Sequence, residues 1–101
     1  MVAKILETLE DIRPELDQIN VELADLMERR EAIIDRVTEV KRRTGEEAFQ
    51  PERLRAMMDN VAALATARGL DPHYVQDVFG VMHDHSVRKQ SKDLQLQTGA
   101  K

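Results

Sequence analysis

Residues 3–45 read AKILETLEDIRPELDQINVELADLMERREAIIDRVTEVKRRTG, and the spacing of their apolar side chains decides the fold. Ile5, Leu9, Ile12, Leu16, Ile19, Leu23, Leu26, Ile33, Val37 and Val40 recur at alternating steps of four and three. That is the heptad seam of a long α-helix. One position breaks the series. At position 30 the alternation calls for an apolar residue and the sequence supplies Arg30. Pro14 fits either a first helical turn entered at Arg13 or a kink in a longer helix, and helix on both sides of it is the expectation. Lys41, Arg42, Arg43 and Thr44 followed by Gly45 form a cationic last turn and a stop. The pattern predicts helix from about Ala3 to about Arg43.

Two shorter helices follow. Gly45 to Phe49 is a short connection, and Gln50-Pro51-Glu52 opens a second helix with proline in its first turn. Its apolar stripe is Leu54, Met57, Met58, Val61, Leu64 and Ala65, and Gly69 ends it. Asp71-Pro72 supplies an N-cap and a first helical residue for a third helix, which carries Val75, Val78, Phe79, Met82 and Val87 inside. A frayed tail is expected from about Leu94. The fold class is therefore all-α, with three helices per chain in a single domain over 1–101. A helix of roughly 40 residues is about 60 Å long, against a radius of gyration near 13 Å for a compact chain of this size. The other two helices cannot cover it. A homodimer that pairs the long helices is the economical solution.

Composition narrows the functions. Only Phe49, Tyr74 and Phe79 are aromatic, which argues against a sheet. Nineteen acidic residues against fifteen basic ones give a net charge of −4, so no broad cationic field exists for nucleic acid. The absence of cysteine removes disulfides, thiolate metal sites and thiol nucleophiles. The first residues lack an apolar run of signal-peptide or membrane length, so a soluble cytoplasmic protein is expected, with no membrane partner.

The chemistry resides in the cations of the long helix. Arg30 and Lys41 are eleven residues apart and fall within about 20° of one face. Arg13 lies about 25 Å from Arg30 along the axis, out of reach of the same small ligand. Antiparallel pairing of two long helices would bring it to a neighbour's site instead. Such a cation cluster requires balancing anions, and a dicarboxylate ligand suits it. The structural alternative for Arg30 is a buried ion pair with Glu28 or Asp35, or a polar residue that sets coiled-coil register. Lys41 and Arg13 taken singly read as solvated charges. Ser86 and Gln90 share a face of the third helix and could equally make surface hydrogen bonds. His83 and His85 point about 200° apart, so no shared metal is expected; they read as surface or interface residues, and His73 as a first-turn residue. No triad, phosphate loop or carboxylate pair stands out, leaving conventional acid–base or covalent catalysis without its residues.

Ile12-Arg13, LADLMERR ending at Arg30, EVK ending at Lys41, QPERL containing Arg53, GLDPHYV, and Ser86-Val-Arg-Lys-Gln90 occur in this order from about Ile12 to Gln90. With these motifs the sequence resembles the all-α chorismate mutases, small intertwined helical dimers that convert chorismate to prephenate. The resemblance implies that Arg30 and Arg13 from the partner subunit grip the two carboxylates, while Lys41 and Gln90 face the ether oxygen. Arg53 and Ser86 would orient the substrate and hold its ring carboxylate. It implies no cofactor and no metal, because a unimolecular Claisen rearrangement needs only a compact conformer and stabilised charge. Two positions depart from the family pattern. Where typical members carry carboxylates that deal with the ring hydroxyl, this chain has Gln50, which can still hydrogen-bond, and Leu54, which cannot. Relatives acting on isochorismate (pyruvate lyases) or on 4-amino-4-deoxychorismate share the scaffold and an apolar residue at the place of Leu54. Chorismate mutase is the leading expectation as the scaffold's commonest activity, with those pericyclic reactions as alternatives and a helical dimerisation module as the non-enzyme alternative.

Overall fold

The computed structural model of the chain describes residues 6–99, with side chains as far as Gln95. Three helices follow in order, α1 (Leu9–Thr44), α2 (Pro51–Ala67) and α3 (Pro72–Gly99), with no strand among the described residues. None of these helices is long and apolar enough to cross a membrane.

Helix α1 starts later than its apolar periodicity predicts. Residues 6–8 are non-helical, and the expected first turn at Ala3–Ile5 lies outside the described residues. The cause is a reciprocal cap. The Thr8 amide donates to the Asp11 carboxylate at 2.9 Å, and the Asp11 amide donates to the Thr8 hydroxyl at 3.3 Å. The Thr8 amide holds the Asp11 carboxyl below the ordinary carboxylate range, helped by the Thr8 hydroxyl. Pro14 then sits inside α1, with helix on both sides. It costs one hydrogen bond, the one the Glu10 carbonyl would accept.

The chain divides into two compact units, Met1–Ile33 and Ile34–Lys101. In the first, the seam residues Leu9, Leu16, Ile19, Leu23 and Leu26 are all more than half exposed, and Ile12 is 40% exposed. In the second, α2 packs on α3, and Met57, Val61 and Ala65 are the buried hydrophobic residues among those described. Gly80 lets the two helices approach closely, since a Cβ there would stand 3.2 Å from the Met58 Cε. The Gln76 side-chain amide adds a bond by donating to the Met58 carbonyl at 3.1 Å.

The turns match their residue types. After α2, Gly69 adopts φ +69°, its amide donates to the Thr66 carbonyl at 3.2 Å, and the Leu70 amide donates to the Ala65 carbonyl at 2.9 Å. This pair of bonds is a Schellman stop. Asp71 then caps α3 by accepting from the His73 amide at 2.9 Å, with Pro72 as the first helical residue. The tail differs from expectation. Helix α3 continues past Leu94 to Gly99, because Lys92 to Thr98 contains neither glycine nor proline to break it.

The small core of the second unit makes each of its residues count. Met57→Ala is expected to destabilise the folded chain by about 2 kcal/mol, at the low end for loss of a buried methionine. The shift of the urea unfolding midpoint at constant m-value checks this.

Candidate active site

Within the second unit, the last turns of α1 meet α3 through polar side chains. Thr38, Ser86 and Gln90 are the buried polar residues among those described, at 4%, 2% and 4% exposure. Thr38 satisfies its hydroxyl locally, donating to the Ile34 carbonyl at 3.0 Å. One turn further on, the Lys41 ammonium donates to the Gln90 side-chain oxygen at 2.8 Å and to the Ala48 backbone carbonyl at 2.8 Å. Lys89 reaches back from α3 to Asp35 on α1 at 2.8 Å.

The Lys41–Gln90 contact fixes what each group can offer. An ammonium has three donors and no acceptor, so the Gln90 amide must turn its oxygen toward Lys41 and its NH2 away. Two of the lysine N–H bonds are engaged, and one is left over. The pair therefore presents donors on both sides and no base. Lys41 also borders a cleft of 460 Å³ with Arg42, Glu46, Ala48, Ser91 and Gln95. Loss of solvent around the ammonium pushes Lys41 below the ordinary lysine value of 10.5, and the nearby Glu46 carboxylate offsets this only in part.

The other predicted residues are distributed as follows. Ser86 is buried one turn before Gln90 on α3. Gln50 is half-buried and donates to the Glu46 carboxylate and the Glu47 carbonyl, both at 3.4 Å. Leu54 is half-buried on α2, whereas Arg53 beside it is exposed. Arg30 and Arg13 belong to the first unit. Arg13 is exposed, while Arg30 is half-buried in a hollow of α1 between Leu26, Arg29 and Ile33. His83, read from sequence as a surface or interface residue, keeps only 13% of its side chain exposed and meets the Phe49 ring edge-on, the centroids 6.1 Å apart.

Two participants escaped the sequence reading. Thr38 carries a signal in retrospect, three residues before Lys41 and so on the same helical face. The Ala48 carbonyl carries none, because a backbone acceptor has no residue type.

Comparison with known proteins gives the family. The family model described as chorismate mutase type II matches residues 12–91, most of the chain. The chain belongs to the chorismate mutase type II family. A chorismate mutase of Methanocaldococcus jannaschii is 24% identical over 91 residues, covering 90% of this chain and 92% of that protein. No solved structure matches. Membership of the chorismate mutase family makes the chain an enzyme of the isomerase class.

The lowered Lys41 value has a measurable consequence. Between the folded value and 10.5, the unfolded chain holds the proton that the folded chain has released, so Lys41 contributes stability that rises with pH through that window. A nitrogen-15 titration of the Lys41 ammonium is expected to give a midpoint below 10.5, and a midpoint at or above it would contradict the desolvated setting.

Proposed function

We propose that this chorismate mutase family member converts chorismate to prephenate by a Claisen rearrangement, working without cofactor as a cytoplasmic homodimer with 1–101 as one domain. The observation that carries the reading is the Lys41–Gln90 pair, an ammonium and an amide with N–H groups to spare. The reaction breaks the ether C–O bond while a new C–C bond forms within the same molecule, and negative charge develops on the ether oxygen. A cationic donor and a neutral amide donor lower that charge's energy without transferring a proton. Gln90 needs no protonation to donate, unlike a glutamate at the same place.

The remaining work is to hold the substrate in its compact, reactive conformer. In this reading Arg30 and the partner subunit's Arg13 bind the two carboxylates. Ser86 and Arg53 orient the ring and its carboxylate, and Gln50 hydrogen-bonds the ring substituent. The exposed α1 seam supports the second copy, since a row of large apolar side chains on a long helix favours a partner.

A specific observation favours a second reading. Leu54 places an apolar, half-buried side chain near the start of α2, where it can make no hydrogen bond to a ring hydroxyl. The second reading is a substrate differing at that ring position, 4-amino-4-deoxychorismate or isochorismate.

Incubation with chorismate, isochorismate and 4-amino-4-deoxychorismate separately, with product identification by mass, decides between the readings. Prephenate is expected as the best product, and preference for either analogue transfers the assignment to it. Lys41→Ala and Gln90→Ala are each expected to lower kcat about 10²–10³-fold, the usual loss for one transition-state donor, while the helical circular dichroism signal persists. Parental turnover by Lys41→Ala would refute the mechanism. Malate is expected to raise the melting temperature of the parent but not of Arg30→Ala.

A further inference from the structure

Of the connection between α1 and α2, residues 45–50, only Gln50 has a part in the chemistry just described, yet all six residues belong to a heavily bonded loop. Gly45 leaves α1 at φ +78°, its amide donating to the Lys41 carbonyl at 2.8 Å. The Thr44 hydroxyl donates to the Glu46 carboxylate at 2.8 Å, and the Glu46 amide donates back to that hydroxyl at 3.3 Å. The Gln50 amide ties the far end to Glu46 and Glu47. Phe49 rests edge-on against His83 of α3. Between these anchors lies Ala48, whose carbonyl accepts from the Lys41 ammonium.

We infer that the 45–50 connection is a positioning element for the reaction, with Gly45 as its defining turn. It holds the Ala48 carbonyl where the carbonyl and Gln90 together fix the Lys41 ammonium. This inference rests on the reading of Lys41 as the transition-state donor. A lysine carries its charge on a flexible four-carbon stem, so a single acceptor leaves it many rotamers. Two acceptors approaching from α3 and from the connection define one position for the nitrogen and direct its third N–H. A donor set before the charge develops needs no reorganisation during the reaction. Gly45 is the suitable place to test this, because a Cβ there would meet nothing within 4 Å. A substitution therefore acts only through the left-handed backbone. Asparagine tolerates that conformation, whereas a β-branched residue does not.

The test compares Gly45→Val with Gly45→Asn in the full chain, reading steady-state kinetics on chorismate and the nitrogen-15 ammonium signal of Lys41. The signal is assigned by its loss in Lys41→Arg. The charged groups that share the cleft with Lys41 are Arg42, Glu46 and Glu47; α3 contributes the neutral Ser91, Leu94 and Gln95 to the cleft, and Gln90 as the ammonium's acceptor. All are retained in both variants. Gly45→Val is expected to lose the slowly exchanging ammonium signal and to lower kcat about ten-fold or more. KM is expected to stay within about two-fold, since an interaction made mainly in the transition state is removed. Gly45→Asn should keep both signal and rate. Should Gly45→Val fail to fold, Phe49→Ala, which frees the connection from His83, is expected to show the same joint loss. The inference is overturned if the signal disappears while kcat is kept, if Gly45→Val retains both, or if Gly45→Asn loses rate as fully as the valine variant. The ammonium signal needs no turnover, so an inactive parent protein would defeat the proposed activity, while the signal in the two variants still decides whether the connection fixes the ammonium.

Discussion

Lys41 has to keep a positive charge in a partly desolvated position, and much of the second unit is arranged around that demand. Taking an ammonium out of water is costly unless fixed oxygens replace the solvent. Here two oxygens do so, one from the Gln90 side chain and one from the Ala48 backbone. The location helps as well. Lys41 stands in the last turn of α1, where the unpaired carbonyls of the helix end favour a cation. Gly45 must then turn the chain sharply for the Ala48 carbonyl to come back to the ammonium, and Gln90 must be buried on α3 for its amide to reach it. Charge-assisted hydrogen bonds of this kind are worth about 1.5–3 kcal/mol each, so losing either acceptor would leave a strained charge and a loosened helix junction.

The same contact determines the kind of chemistry the site can perform. Because the lysine has only donors, Gln90 is oriented with its NH2 group available. A carboxylate in its place would pair with Lys41 and cancel the positive field, whereas the amide leaves the charge intact. A pericyclic rearrangement has no proton to move and no covalent intermediate to form. It gains from a rigid donor set and a fixed substrate conformer. The Lys41–Gln90 pair itself offers only donors, which suits the chemistry of the family to which the chain belongs.

Apolar surface is distributed unevenly. The second unit buries Met57, Val61 and Ala65, while the first displays a row of large side chains along α1. Burying apolar surface stabilises by about 25 cal/mol per Å², so that row is a large unused source of stability. A second copy of the chain is the proposed cover. In that arrangement folding, association and completion of the site become one event, since the partner subunit's Arg13 arrives with the helix that covers the seam.

The helices were legible in the linear sequence because they depend on short-range rules. The heptad spacing, Pro51 and Pro72 at first helical positions, and Gly45 and Gly69 at positive φ all act within a few residues. The beginning of α1 was misplaced because the apolar rhythm runs through to Ile5, while the Thr8–Asp11 cap, also local, starts the helix at Leu9. The frayed tail was misplaced because nothing in Lys92 to Thr98 stops a helix that is already nucleated. Arg30, Lys41, Ser86 and Gln90 could be nominated from residue type and spacing, with family resemblance supplying their roles. Their burial and pairing could not be deduced that way. That Lys41 bonds Gln90, forty-nine positions away, that a backbone carbonyl supplies its other acceptor, and that His83 turns inward onto Phe49 are results of long-range packing. Sequence by itself determined the helices, since each needs only its own neighbours. Only the tertiary structure decided which polar groups lose water together, because desolvation depends on what the rest of the chain brings near.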